Sequence, residues 1–130
     1  MKTDFFAWRS DLPGLKEKII RLPKNLGDYY EDAFNIGYDS IKKLFADTQS
    51  VSGAMFPNDA YAIGAAQYLL ENRIDNFTLV GFNGDRALLR FPYPVSTGIQ
   101  PIGTMVEEIA GFFKSDAPLQ KLLPVELILK

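Results

Sequence analysis

A chain of 130 residues, 47% of them apolar and 23% charged, has enough material for one soluble globular domain with a real core. Its 14 basic and 16 acidic residues give a formal net charge of −2 and a pI near 5.1, so it carries no basic footprint for nucleic acid. It contains no cysteine and no histidine, which excludes a disulfide scaffold, a Cys or His nucleophile, a His general base and Cys/His zinc or haem sites.

No apolar run approaches the length of a membrane span. Asp4 and Arg9 fall where a signal peptide would need its apolar stretch, so a cytoplasmic chain is expected. No internal repeat or Gly/Pro-rich linker divides the sequence.

In chain order, residues 11–21 read as a short helix with Pro13 in its first turn. Residues 30–46 read as a longer helix. Phe34, Tyr38, Ile41, Leu44 and Phe45 recur there at helical spacing, and Asp32, Asp39, Lys42 and Lys43 fill the outer face. Residues 51–56 read as a strand weakened by Gly53, and residues 59–72 as a helix with an Ile63, Ala66, Leu69, Leu70 stripe. Residues 77–82 form a continuous apolar run, expected to be buried on both faces of a parallel sheet. Residues 83–94 are dense in turn formers and read as a loop. Residues 101–114 read as an amphipathic helix with Ile102, Met105, Val106, Ile109 and Phe113 on one side, and residues 124–129 as a closing strand. Alternation of this kind predicts an α/β fold with a mainly parallel sheet.

In open parallel sheets, ligands bind at the carboxyl ends of the strands. Asn58-Asp59 follows one predicted strand, and Asn83 and Asp85 follow the next, so both groups are expected on one sheet edge. An amide donates and accepts and a carboxylate accepts twice, which suits a polyhydroxy ligand. The alternative for Asp59 is a plain helix N-cap, and for Asn83-Gly84 a tight turn with positive φ. Trp8-Arg9 offers a donor fork beside an aromatic plane, or a surface arginine next to a half-buried ring. Tyr29-Tyr30 reads as a ligand wall or as a hydrophobic staple before a helix. Arg86 and Arg90 suit a solvated or interface face better than a phosphate site. No nucleophile–base constellation and no lysine-bearing phosphate loop stands out, so an enzyme is unsupported.

Four stretches taken together carry a resemblance. Phe56-Pro57-Asn58-Asp59 runs into Ala62 and Gly64. Val80-Gly81-Phe82-Asn83 follows, then Val95-Ser96-Thr97-Gly98-Ile99-Gln100-Pro101, and the chain closes on Leu123-Pro124-Val125-Glu126-Leu127-Ile128-Leu129-Lys130. In this order they resemble the effector-binding region of LacI/GalR-type transcriptional regulators, over residues 9–130. The resemblance implies a parallel-sheet, three-layer lobe of the periplasmic-binding-protein-like type I fold, incomplete here. Residues 1–100 would be a partial second lobe, and residues 101–130 the crossover helix and strand of the first lobe.

The resemblance also implies that Arg9, Asn58, Asp59, Asn83 and Gln100 contact a small-molecule effector, most simply a sugar, with Tyr29 or Tyr30 as its aromatic wall. A homodimer interface is implied at the helix bearing Ile63 and Gln67 and at the loop bearing Leu88 and Leu89. No cofactor, metal or membrane is implied, and DNA would be bound only through an N-terminal head of helix-turn-helix or GntR type outside these residues. Four departures stand out. Asn83 takes the place of the family's Asp, Gly98 that of an apolar residue and Leu12 that of a glycine, and residues 73–77 are shorter than the family's loop. The stripe from Ile102 to Phe113 would lack its usual partner, so the chain is expected to self-associate. The competing reading is a sugar-binding protein of a transport system, which shares the two-lobed fold.

Overall fold

The computed structural model describes residues 29–47, 51–115 and 120–130, with side chains from residue 32 onward. The helix expected at 11–21 lies outside the described residues. The elements run α1 (Tyr29–Asp47), β1 (Gly53–Met55), α2 (Asp59–Glu71), β2 (Thr78–Phe82), a 3-10 turn (Arg86–Leu89), β3 (Val95–Ile99), α3 (Ile102–Phe113) and β4 (Glu126–Ile128). The sheet order is β1-β2-β3-β4. The first three strands are parallel, with Leu79 opposite both Ala54 and Val95, and β4 is antiparallel to β3, with Gly98 opposite Leu127. This is the α/β architecture with a mainly parallel sheet that the sequence predicts.

Packing explains why α2 is so rich in small residues. One side of α2 lies on β2 and β3 and the other carries α1. Ala62, Gly64, Ala65, Ala66 and Leu69 are all buried between them. The predicted stripe has Ala66 and Leu69 right, while Ile63 and Leu70 are only partly buried at its margin. On α1 the buried positions are Ala33, Gly37, Ile41 and Leu44, a helical spacing. The helices meet backbone to backbone. A Cβ at Gly37 would lie 1.9 Å from the Tyr61 carbonyl oxygen, and one at Gly64 would lie 1.9 Å from that of Phe34.

Polar links close the same layers. Tyr38 donates to Glu71 at 2.6 Å, fastening α1 to the end of α2. Hydrogen bonds from Gln67 and then Tyr38 hold the Glu71 carboxyl below the usual carboxylate range. α2 stops in a Schellman turn. The Ile74 amide donates to Leu69 O and the Arg73 amide to Leu70 O, with Arg73 left-handed at φ 54° where glycine is commoner. The buried Tyr93 hydroxyl donates to Phe77 O at 2.6 Å, pinning the entry to β3 beneath β2.

Three expectations change. The first strand is shorter than residues 51–56, although the Phe56 amide still donates to Val80 O at 2.8 Å. Residues 95–99 were not assigned as an element, yet form an interior strand whose Val95, Ser96, Thr97 and Gly98 are all buried. Their Ser-Thr-Gly core hides the apolar signal by which buried strands are recognised. β2 is buried on one face only, through Leu79 and Gly81, while Thr78 is exposed and Val80 and Phe82 half-buried.

α3 stands apart. None of its residues is buried, and its apolar stripe is bare, with Val106 59% and Phe113 81% exposed. β4 is hydrogen-bonded into the sheet of residues 53–99, so a boundary at 100/101 separates α3 from the sheet but not β4. Among the described residues no helix is long and apolar enough to cross a membrane.

Candidate functional site

The parallel strands β1, β2 and β3 deliver Asn58-Asp59, Asn83 and Gln100 to one edge of the sheet, at the strands' carboxyl ends. Asn58 is the N-cap of α2. Its Oδ1 accepts from the Ala60 amide at 3.0 Å and the Tyr61 amide at 3.4 Å, which satisfies two of the helix's free donors. Of the two readings of this dipeptide, the cap therefore falls to Asn58 rather than to Asp59.

Asp59 does something else. It is 1% exposed, and both carboxylate oxygens are engaged inside the protein. Oδ2 accepts from the Asp85 amide at 2.6 Å, and the Thr97 hydroxyl donates to Oδ1 at 2.8 Å and Oδ2 at 3.0 Å. Thr97 Oγ1 in turn accepts from the Gly84 amide at 3.1 Å. One carboxylate thus ties the start of α2 to the loop after β2 and to the middle of β3. Burial pushes its pKa up, opposed by the hydrogen bonds from Asp85 and Thr97, with the nearby Asp85 charge adding to the rise. The carboxylate fits only because residue 81 has no side chain, since a Cβ there would lie 2.1 Å from Asp59 Oδ1.

Asn83 follows β2 with φ at 111°, and Gly84 with φ at 69°, so the positive-φ turn is present. The Asn83 amide donates to Gly98 O at 2.8 Å. Its side chain is exposed, and Gln100 Nε2 donates to Asn83 Oδ1 at 3.4 Å. The Asp85 carboxylate turns away to accept from the Ala87 amide at 2.9 Å, capping the 3-10 turn.

Asn58, Asp59, Asn83 and Gln100 are therefore brought to one edge. Arg9 lies outside the described residues. Tyr29 and Tyr30 begin α1, and their side chains are likewise outside the description. Of the expected interface residues, Ile63 is half-buried, Gln67 donates to Glu71 at 2.8 Å, and Leu89 is 72% exposed. Leu88 is 2% exposed and points into the core. Thr97 and Gly81 were not singled out. The legible signal was a glycine interrupting an apolar strand, which often marks a close approach by another group. A cleft of about 240 Å³ opens at the opposite end of the sheet, lined by residues 75–79, Pro94 and Lys130, away from this cluster. Among the described residues no group of acidic side chains could hold a metal ion.

This architecture, a parallel α/β lobe with a polar carboxyl edge, is the fold of the effector-binding region of LacI-type transcriptional regulators. No protein-family model matches the chain, and no curated protein matches it. Among solved structures it is similar to a sugar-binding transcriptional regulator of the LacI family from Escherichia coli, complexed with phosphate. The TM-score is 0.61 at 23% identity, over 73% of this chain and 37% of that one. It is also similar to the dimeric lac repressor with an 11-residue C-terminal deletion, with a TM-score of 0.63 at 20% identity over 76% of this chain and 39% of that one. A third is the transcriptional regulator CelR in complex with cellobiose, with a TM-score of 0.59 at 17% identity over 74% and 32%. The chain spans less than two fifths of the length of each of the three.

Proposed function

We propose that the chain is the effector-sensing region of a transcriptional regulator of the LacI type, a binding protein rather than an enzyme, acting in the cytoplasm. Its ligand is a sugar or similar small polyol, held at the carboxyl edge by Asn58, Asn83 and Gln100, with Arg9 and Tyr29 or Tyr30 completing the site. The observation that supports this is the gathering of three amide side chains at the ends of three adjacent parallel strands, in a fold shared with a regulator solved with cellobiose. Asp59 serves the site from below by holding the loop that carries Asn83 and Gly84. Ligand closure would shift the balance between two arrangements of a dimer and so alter DNA binding in a separate head.

Backbone amide shifts on titration with cellobiose, lactose and trehalose test the ligand claim. Changes are expected around Asn58, Asn83 and Gln100. Shifts confined to residues 75–79, Pro94 and Lys130, at the other end of the sheet, would contradict it.

Residues 101–114 belong, in the same reading, to a first lobe, and their bare apolar face needs a partner. Exposed stripes of this kind mark interfaces. Sedimentation of the 130-residue chain at micromolar concentration is expected to show a dimer, with Ile63, Gln67 and Leu89 as further contacts. A monodisperse monomer would remove the association from the proposal.

A further inference from the structure

We infer that the Asn83–Gln100 pair selects an uncharged, hydroxyl-bearing ligand face and rejects charged counterparts; this rests on the sugar-site reading of the carboxyl edge. A primary amide has one accepting oxygen and one donating NH2 group. The two side chains spend one acceptor and one donor on each other, through Gln100 Nε2 and Asn83 Oδ1 at 3.4 Å. Asn83 Nδ2 is then left to donate and Gln100 Oε1 to accept. If both amides are turned over, their roles exchange but the remainder is the same. One free donor group and one free acceptor therefore stand side by side in either orientation.

The backbone holds this pair in place. Asn83 sits at φ 111° with its amide on Gly98 O at 2.8 Å, and the next amide, that of Gly84, is on Thr97 Oγ1. Neighbouring carboxylates are engaged elsewhere, Asp59 with Thr97 and the Asp85 amide, and Asp85 with the Ala87 amide. Neighbouring hydroxyls each donate and accept, so they satisfy both halves of the pair. A carboxylate or phosphate only accepts and would set an oxyanion against the amide oxygen. An ammonium only donates and would face the NH2 group. Sites built to hydrogen-bond a hydroxyl discriminate strongly, because the mismatched ligand leaves their polar groups unpaired.

The test titrates the 130-residue chain with glucose, galactose and cellobiose, and with glucosamine, glucuronate and glucose 6-phosphate. The side-chain NH2 signals of Asn83 and Gln100 are followed by nitrogen–proton correlation spectroscopy. At least one neutral sugar is expected to move both sets of signals and to bind at least tenfold more tightly than the charged sugars. N83D should weaken that sugar about tenfold and narrow its advantage over glucosamine. Q100E should do the same, which covers the case in which N83D loses its fold by circular dichroism. Charged sugars that move the signals as tightly as neutral ones would overturn the selectivity while leaving the sugar site standing. If no sugar of either kind moves them, the sugar-site reading fails and the selectivity with it.

Discussion

Replacing Gly64 with alanine is expected to cost about 3 kcal/mol or more, a large fraction of the stability of a domain this size. The new Cβ would lie 1.9 Å from the Phe34 carbonyl oxygen, 2.7 Å from its carbon and 3.0 Å from its Cα. All three are backbone atoms of α1, so no side-chain rotation relieves the clash. The helices must separate and open the layer that buries Ala33, Ile41, Ala62, Ala65 and Leu69. Helix propensity alone has the opposite sign, since alanine is favoured over glycine by about 1 kcal/mol in an open helix. Gly111 in α3 supplies the control, because a Cβ there meets nothing within 4 Å. Urea unfolding should show Gly111→Ala neutral or up to about 1 kcal/mol stabilising and Gly64→Ala strongly destabilising. Similar midpoints for the two variants would mean that α1 and α2 do not cross in contact.

Asp59→Asn is expected to cost about 2 kcal/mol near neutral pH. One amide oxygen can still accept from Thr97, but the Asp85 amide, now 2.6 Å from a carboxylate oxygen, would face an NH2 group. The pH dependence separates this from a simple packing defect. Burial raises the Asp59 pKa above the ordinary 3.8, so the folded protein binds this proton more tightly than the unfolded chain does. The resulting stabilisation is fully present below 3.8 and is lost as pH rises through the elevated folded value. Asparagine cannot titrate. The stability gap between wild type and Asp59→Asn should therefore widen on acidification from neutral pH toward 3.8, measured by urea unfolding at several pH values. A gap that narrows on acidification would mean that hydrogen bonding outweighs burial at this carboxylate.

Much of the fold was legible because its strongest signals are local. α1, α2 and α3 each follow their apolar periodicity to within a residue or so of the observed ends. β2 was visible as an apolar run, and the polar residues at its end and after β1 fell on the same edge by the ordinary logic of parallel sheets. What stayed hidden depends on contacts between segments distant in sequence. Thr97 meets Asp59 across 38 positions, and nothing local in Ser96-Thr97-Gly98 announces a buried strand. Gly37 and Gly64 look like helix weaknesses until two helix axes are laid against each other. The division of labour within Asn58-Asp59 was also invisible, because both side chains favour a helix N-terminus and only the third dimension shows which caps and which reaches the sheet.

The most direct test of the regulator proposal is to read the coding DNA upstream of Met1. A regulator requires an open frame continuing into a first lobe and a helix-turn-helix or winged-helix head. A frame that instead begins with a signal peptide and a lobe, with no DNA-binding head, would contradict it and make the chain part of a transport receptor.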